Sequence, residues 1–349
     1  MAEPFLPERS GLLLAPPLRG SRIGKADPRG VAEEAIEATG SLSTSPSLSL
    51  PRKGGGESKP PRPRSMRQAL VETARILREA GIETPELDAR LLVCHAAGLS
   101  HEAYIARTRD QLRPEAAACL GAAISRRLKR EPVARITGVR EFYGRKFLVD
   151  PHALDPRPDT ESLIEAALAF VERRGLNDRP LKLLDLGTGT GCILITLLAE
   201  LPRTQGVGTD MSSGALASAA TNAERLDVAA RAAFVAADWL DAVEGRFDLI
   251  LFNPPYLASG EIAGLAADVA AYDPILALDG GPDGLDAYRR IAARAGDVLA
   301  EDGRLVVEIG ATQGEAVAGI FCGAGLKLDR HQGVRHDLAG RPRVVVAGM

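Results

Sequence analysis

Residues 181–191, LKLLDLGTGTG, decide the fold of this chain. The leucine-rich half predicts a buried strand, and the glycines after it predict a tight turn into a helix over Cys192 to Glu200. Glycines allow a ligand to approach the backbone closely, and the start of the helix offers unpaired N–H groups. The spacing departs from the G-x-G-x-x-G pattern of dinucleotide-binding loops. A strand, a glycine turn and a helix in this order predict an α/β domain with a ligand site at the turn.

The next two predicted strands end in residues suited to a nucleoside. The strand Gln205 to Thr209 is followed by Asp210, at about the 20-residue distance where an acidic side chain commonly accepts hydrogen bonds from ribose hydroxyls. The strand Ala232 to Ala236 is followed by Asp238 and Trp239, the only tryptophan of the chain. Trp239 could flank an adenine while Asp238 accepts a hydrogen bond from its exocyclic amine. Alternatively, Asp238 is only a capping residue and Trp239 only packs at the rim of the site.

A fourth strand, the apolar run Phe247 to Phe252, ends in Asn253-Pro254-Pro255-Tyr256. An amide or aromatic-amine nitrogen is a poor nucleophile, so a site that alkylates it must hold its N–H groups and direct its lone pair at an electrophile. The side-chain carbonyl of Asn253 and the backbone carbonyl of Pro254 are suitable acceptors. Pro255 stiffens the turn, and the ring of Tyr256 offers a flat face to a planar amide or base. A Pro-Pro turn without chemistry is the alternative.

Ligands of open α/β sheets bind where the strands end. The glycine loop, Asp210 and Trp239 therefore describe a site for a nucleoside-containing cofactor whose reactive group faces residues 253–256. S-Adenosylmethionine is the cofactor that fits this arrangement.

Residues 66–131 show the apolar spacing of several helices. Thr84 before Pro85 predicts one helix start, and Ser100 predicts another. We expect a small helical bundle that recognises a substrate and carries no chemistry of its own. Its basic end, residues 126–130, is either a partner-binding face or only a favourable match to a helix dipole.

Residues 132–160 predict a linker between this bundle and the α/β domain, which would occupy residues 161–349. In the linker, β-branched and aromatic residues around Gly138 and Gly144 indicate a β-hairpin.

The end of the linker, DPRPDTE at 155–161, has prolines on both sides of Arg157. The two prolines restrict the backbone at this point. This restriction either directs the Arg157 guanidinium into a site or only stiffens the connection between the two domains. Asp159 or Thr160 is placed to cap the helix Ser162 to Arg173.

Residues 1–65 are rich in Pro, Gly and Ser, a composition that cannot bury enough apolar surface to offset its ordering entropy. We expect a disordered extension. A transit peptide and an upstream translated segment remain alternatives.

The composition argues against several classes of protein. A net charge of −3 and a pI near 6.1 give no basic footprint, so no direct nucleic-acid binding is expected. The four cysteines form no C-x-x-C pair and the five histidines no ligand-spaced pair, so neither a disulfide framework nor a metal site is predicted. No run of about 20 apolar residues indicates a membrane span. We expect a cytoplasmic monomer without metal or membrane partner.

The motifs resemble those of one family, the protein-(glutamine-N5) methyltransferases of the HemK/PrmC type, which methylate the glutamine of the Gly-Gly-Gln motif in peptide chain release factors. The resemblance covers residues 66–349 and rests on the order and spacing of seven strings. They are RITGVREFYGRKF (135–147), DPRPDTE (155–161), LDLGTGTGCI (184–193), NPPY (253–256), LDGGPDGLDAYRRI (278–291), EIGATQ (308–313) and DLAGRPRVVV (337–346). Asp155 departs from the apolar residue of many relatives, and residues 1–65 have no counterpart.

The resemblance implies roles for the matching residues. Those that bind S-adenosylmethionine would be Gly187, Thr188, Gly189, Thr190, Gly191, Asp210, Trp239 and Asn253. Those that bind the substrate glutamine or line its entrance would be Asn253, Pro254, Pro255, Tyr256, Phe142 and Arg157. Asn253, Pro254 and Tyr256 would carry the catalysis.

The resemblance also implies the architecture of a class I S-adenosylmethionine-dependent methyltransferase. This is an α/β, Rossmann-like fold with a mostly parallel seven-stranded sheet, joined by a β-hairpin to a small N-terminal helical bundle. The expected partners are peptide chain release factors, and the expected role is in translation termination.

Three other functions compete with this one. An adenine-N6 methyltransferase that acts on DNA or RNA must also methylate a poorly nucleophilic, planar nitrogen. Such an enzyme needs a basic channel for the nucleic acid. Methylation of a ribosomal-protein glutamine shares the tetrapeptide and remains open. A non-catalytic module that only grips release factors would not need the intact glycine loop together with Asn253 and Tyr256.

Overall fold

The computed structural model describes residues 65–349 except residues 242, 332, 338 and 339. The disordered extension expected over residues 1–65 therefore lies, apart from Ser65, outside the described residues. Ser65 begins the first helix, α1 (Met66–Glu79): its hydroxyl accepts from the backbone N–H of Gln68, and the Gln68 side chain accepts from the backbone N–H of Ser65. This reciprocal capping box fixes where the helix starts.

Four more helices pack with α1: α2 (Pro85–Ala97), α3 (His101–Ala106), α4 (Pro114–Leu128) and α5 (Val133–Thr137). They enclose their own apolar core, which includes Leu77 and Leu92. Ser100 caps α3 as expected, accepting from the backbone N–H of Ala103 over 3.2 Å. Thr84 does not cap α2; its hydroxyl donates instead to the Asp88 carboxylate over 2.9 Å.

Two basic side chains at the end of α4, Arg127 and Arg130, contact the rest of the bundle. Arg127 is buried and its Nε donates to Asp88 over 2.7 Å. Arg130 donates to the backbone carbonyls of Ala80 and Gly81, each over 3.0 Å. Arg127 and Arg130 therefore hold α4 on the bundle, whereas Arg126 and Lys129 are exposed, and a partner-binding face at residues 126–130 stays a prediction.

The predicted hairpin occupies only part of the linker. Its strands are β1 (Val139–Phe142) and β2 (Arg145–Leu148), paired antiparallel. Residues 133–137 before it form α5, although β-branched residues there suggested strand. The buried side chain of Ile136 joins the core of the bundle, and Gly138 with a φ of +72° ends the helix. Tertiary packing therefore overrides the local propensity.

The large sheet contains β3 (Lys182–Leu186), β4 (Gln205–Asp210), β5 (Ala232–Ala236), β6 (Phe247–Phe252), β7 (Leu299–Glu308), β8 (Lys327–Leu328), β9 (Val334–His336) and β10 (Pro342–Gly348). The order is β5-β4-β3-β6-β7-β10-β8, and β9 also pairs with β10. Strands β3 to β7 are parallel, whereas β10 is antiparallel to β7. The Rossmann-like, mostly parallel sheet is confirmed, with the short β9 as an eighth strand.

Helices cover both faces of this sheet. On one face lie α6 (Glu161–Arg173), α7 (Cys192–Glu200) and α8 (Ser213–Arg225); α10 (Asp286–Val298) and α11 (Gly314–Gly323) lie on the other. Alternate strand residues enter the two cores, so that Leu183 belongs to the first and Leu184 to the second. A short helix, α9 (Ala267–Tyr272), follows β6. Within residues 65–349, none of the described helices is both long and apolar enough to cross a membrane.

The strand order reverses between β3 and β6, because β4 and β5 extend the sheet to one side and β7 to the other. The carboxyl ends of these parallel strands lie at one edge of the sheet. Ligands of open α/β sheets bind at such a reversal point.

Candidate active site

The glycine turn after β3 has the conformation that its sequence requires. Gly187, Gly189 and Gly191 have φ values of +63°, +54° and +79°, which other residues adopt only with strain. A Cβ on Gly191 would lie 2.7 Å from Cδ1 of Ile195, so this glycine also lets the turn pack against α7. Gly187 is exposed, and a Cβ there would meet no atom within 4 Å. Its backbone therefore faces open space.

The two threonines of the turn point inward. Both side chains are buried, and the Thr188 hydroxyl donates to Oδ2 of Asp185 over 2.6 Å. Thr188 and Thr190 would therefore contact a ligand through their backbone.

Asp210 lies directly against the glycine turn. Its Oδ2 accepts from the backbone N–H of Gly189 and its Oδ1 from that of Ser212, each over 2.9 Å. Each carboxylate oxygen keeps a lone pair for a further donor. The half-buried carboxylate beside an exposed glycine backbone fits a ligand that carries both a ribose diol and a polar amino-acid end.

Trp239 lies near the same edge, with its ring edge-on to Phe252 at a centroid distance of 5.5 Å. The guanidinium carbon of Arg290 lies 4.4 Å from the Trp239 ring centroid, and Arg290 also pairs with Asp238 over 2.8 Å. The structure therefore brings Trp239 to the site, whereas the Asp238 carboxylate already has a cationic partner.

Residues 253–256 leave the sheet beside the glycine turn. The register pairs Leu186 with Phe252, so Gly187 and Asn253 follow neighbouring positions of adjacent parallel strands. In the described part of the chain, the Asn253 side chain makes one hydrogen bond, from Nδ2 to the Thr160 hydroxyl over 3.2 Å. Its carbonyl oxygen remains available as an acceptor.

Gln313 supports the tetrapeptide from behind. Its Nε2 donates to the backbone carbonyls of Tyr256 over 2.8 Å and Gly284 over 3.2 Å. Its Oε1 accepts from the backbone N–H of Gly310 over 3.0 Å and the hydroxyl of Tyr288 over 3.2 Å. The side-chain amide of Gln313 therefore connects the backbone of Tyr256 to Gly284, Tyr288 and Gly310.

The glycines of the GGPDG loop, residues 280–284, allow this contact. A Cβ on Gly280 would lie 2.7 Å from the Pro255 carbonyl oxygen, and one on Gly284 would collide with the carbonyl oxygen of Tyr256. The loop thus packs directly on the backbone of the tetrapeptide. Burial raises the pKa of Tyr256, so its hydroxyl stays protonated at neutral pH.

Arg157 lies near the site but is held by a buried acidic group. Its Nη2 lies 2.5 Å from Oδ2 of Asp273, which is also within 3.4 Å of Arg135. Arg135 in turn pairs with Asp155 over 2.8 Å. The unusual Asp155 is therefore one member of a buried ion-pair network, and burial raises its pKa.

Phe142, expected at the substrate entrance, is a buried residue of the hairpin. Its ring is 1% exposed and packs edge-on against Phe147, with 6.1 Å between ring centroids. The side chain belongs to the apolar core that also contains Leu183. Its expected position at the substrate entrance stays a prediction.

Either Asp159 or Thr160 was expected to cap α6, and Thr160 is the residue that stands there. It occupies the N-cap position but makes no capping hydrogen bond, because its hydroxyl faces Asn253 and the Glu308 carboxylate. Sequence reasoning missed Glu308 and Gln313 as site residues, although both stand in the EIGATQ string. Among the described residues, no group of three or more His, Cys, Asp or Glu side chains could hold a metal ion.

Two family models match parts of the chain. Residues 68–138 match the PrmC N-terminal domain, and residues 169–270 match the methyltransferase small domain. A release factor glutamine methyltransferase from Cereibacter sphaeroides is 50% identical over 271 residues, which are 78% of this chain and 94% of that protein. The protein of the same name from Rhodospirillum rubrum is 44% identical over 301 residues, 84% of this chain and 90% of that protein. Among solved structures, a methyltransferase from Pyrococcus furiosus is 15% identical with a TM-score of 0.42, over 60% of this chain and 91% of that one.

Proposed function

Because the chain belongs to the release factor glutamine methyltransferase family, we propose that it methylates the side-chain amide nitrogen, N5, of the glutamine in the Gly-Gly-Gln motif of peptide chain release factors. S-Adenosylmethionine is the methyl donor. The observation that carries the proposal is the register of β3 and β6, which sets the Asn253 carbonyl acceptor beside the exposed glycine turn.

The cofactor would be held by the backbone of residues 187–191, with Asp210 accepting from the ribose hydroxyls. Trp239 would pack on the adenine, and Arg290 would hold the Trp239 ring and Asp238 in place. Asn253 borders both the cofactor and the substrate. When bound, the cofactor supplies a methyl group on a sulfonium, which is already a strong electrophile.

The tetrapeptide would hold the substrate amide. The Asn253 side-chain carbonyl and the Pro254 backbone carbonyl accept the two N–H groups, while Pro255 stiffens the turn and Tyr256 lies beneath the amide plane. These hydrogen bonds strengthen as the nitrogen gains positive charge, so they favour the transition state over the ground state. Positioning of this kind can contribute roughly 7 to 11 kcal/mol.

The chain needs no general base in this scheme, because the methylated, positively charged amide is strongly acidic and loses its proton after transfer. Arg157 would lie at the substrate entrance, where its pairing with Asp273 fixes the guanidinium. Phe142 would line the same entrance.

We propose a protein partner and a cytoplasmic location. The net charge of −3 favours a protein substrate over a nucleic acid. All four cysteines are free thiols, which agrees with a reducing cytosol. A monomer that engages one release factor at a time is the simplest assembly.

The proposed function is tested by methyl transfer from labelled S-adenosylmethionine to an intact release factor and to a variant in which Gly-Gly-Gln is changed to Gly-Gly-Ala. Label on the intact protein alone supports the proposal. Equal labelling of both, or labelling only of a ribosomal protein or a DNA duplex, overturns the substrate assignment.

A further inference from the structure

A short series of buried polar groups leads from Asn253 into the protein. Asn253 Nδ2 donates to the hydroxyl oxygen of Thr160 over 3.2 Å. The Thr160 hydroxyl also faces the carboxylate of Glu308 and lowers its pKa. Thr160 and Glu308 are each only 2% exposed, so water does not compete for these contacts.

The sheet brings the ends of this series together. The register pairs Phe252 with Val307, so Asn253 and Glu308 follow equivalent positions at the ends of β6 and β7. Thr160 comes from the turn before α6 and bridges them. One carboxylate oxygen of Glu308, Oε2, is buried and has no hydrogen-bond partner among the described residues.

The chemistry of the three groups fixes the direction of their hydrogen bonds. An ionised carboxylate only accepts, so the single hydroxyl proton of Thr160 is donated to Glu308. The Thr160 oxygen is then left as an acceptor, and only the NH2 group of Asn253 can serve it. The Asn253 amide is thereby turned so that its carbonyl oxygen is left for another donor.

A protonated Glu308 allows the opposite direction. Its carboxyl proton can be donated to Thr160, whose own proton is then free for the Asn253 carbonyl oxygen. Asn253 would then turn its NH2 group toward the substrate. Because a glutamine amide nitrogen also carries only donors, recognition fails in that state.

We propose that Thr160 and Glu308 are positioning residues that orient the Asn253 amide, and that ionised Glu308 is the form that supports methyl transfer. The effect on transfer rests on the proposed function. The orientation of Asn253 itself does not depend on the substrate.

The surroundings of Glu308 place its ionisation in an accessible pH range. Burial raises the pKa of Glu308 to about 7, and the hydrogen bond from Thr160 offsets part of this rise. The charged and titratable groups that face it are Asp159, Arg157, Arg343, Cys192, Tyr256 and Tyr288. Transfer is therefore expected to increase with pH through a midpoint near the pKa of Glu308.

The kinetic test compares Thr160→Val, Thr160→Ser and Glu308→Gln with the wild type, from about pH 5.5 to about pH 9. Thr160→Val removes the hydroxyl at nearly constant shape, and we expect kcat/KM for the release factor to fall about 10- to 100-fold. Thr160→Ser keeps the hydroxyl and should restore the wild-type rate and pH profile. Glu308→Gln should lower the rate and abolish the midpoint near neutrality. A Thr160→Val enzyme with wild-type kcat/KM and pH profile overturns the proposal.

A second measurement does not need catalysis. The side-chain NH2 signals of Asn253, followed by NMR in the protein alone, should shift with the ionisation of Glu308 in the wild type and in Thr160→Ser. They should not shift in Thr160→Val or Glu308→Gln. If the wild-type signals do not titrate, the proposal is wrong even where methyl transfer is observed; if they titrate but no release factor is methylated, the proposed function fails instead.

Discussion

Gln313 donates a hydrogen bond to the backbone carbonyl of Tyr256 over 2.8 Å, and the two residues are 57 positions apart in the chain. Both N–H groups and the carbonyl oxygen of the Gln313 side chain are engaged. The position of the tetrapeptide therefore depends on a residue that lies outside it.

Gln313→Glu should impair positioning of the substrate. The new carboxylate has nearly the same shape but cannot donate to the carbonyls of Tyr256 and Gly284. We expect a loss of about 1 to 3 kcal/mol in the free energy of unfolding and a larger fall in kcat than in cofactor affinity. Gln205→Glu, the same chemical change at an exposed position, is the control. If Gln313→Glu has the stability and kcat of the wild type, Gln313 does not position residues 253–256.

Asn253→Ala should abolish methyl transfer and leave cofactor binding largely intact. The side-chain carbonyl is the acceptor for the substrate amide, whereas the cofactor is held mainly by the glycine turn and Asp210. A loss of at least about 100-fold in kcat is expected, as for other groups that stabilise developing charge. Calorimetry of S-adenosylmethionine binding and single-turnover transfer measure the two effects, with exposed Asn177→Ala as control. Joint loss of both activities would contradict this division of labour.

Arg135→Met should destabilise the fold. The Arg135 side chain is 4% exposed and lies between the carboxylates of Asp155 and Asp273. Its removal leaves two buried acids without this cation, which costs about 3 to 5 kcal/mol in comparable sites. Denaturant unfolding should show a loss that grows with pH, because ionisation of Asp155 becomes more costly. Arg174→Met breaks an exposed pair with Asp302 and should cost less than about 1 kcal/mol. Equal losses in the two variants would count against the network.

Asp185→Asn should flatten the pH dependence of stability. Burial raises the pKa of Asp185 from 3.8 to about 7 in the folded protein. Between these values the folded state keeps a proton that the unfolded chain releases, so wild-type stability falls as pH rises through this window. Asparagine does not ionise, so the fall should be smaller in the variant, by an amount on the order of a few kcal/mol. Thermal unfolding at several pH values measures it, with exposed Asp178→Asn as control. If stability changes with pH equally in the variant and the wild type, Asp185 does not contribute to the pH dependence.

Removal of residues 1–64 should leave methyl transfer within about twofold of the full chain, since their composition does not favour a packed structure. The truncation keeps Ser65, which caps α1. Steady-state kinetics measure kcat/KM for the full chain and for the truncated chain. A large fall in kcat/KM would assign these residues a role in catalysis or substrate binding.

Much of the sheet could be predicted because its strands are short apolar runs that end in polar or glycine residues. Lys182–Leu186 and Phe247–Phe252 are examples, and the convergence of their carboxyl ends follows from parallel pairing. Local signals also located the cap at Ser100. They failed at Thr160, whose hydroxyl forms tertiary contacts with Asn253 and Glu308 in place of the local cap.

The rest depends on contacts between distant parts of the chain. Arg135 and Asp273 are 138 positions apart, and neither side chain indicates the other in the sequence. Phe142 lies in a string typical of the family, whereas its burial depends on which face of the hairpin packs into the apolar core. The sequence pattern alone does not determine that face.

The most direct measurement is fragmentation mass spectrometry of a release factor after incubation with this protein and S-adenosylmethionine. One added methyl group on the side-chain nitrogen of the Gly-Gly-Gln glutamine is predicted, and none on the Gly-Gly-Ala variant, on ribosomal protein or on a DNA duplex. A methyl group on any other residue, or transfer only to ribosomal protein or DNA, would contradict the substrate assignment. The fold and the cofactor assignment would not be affected.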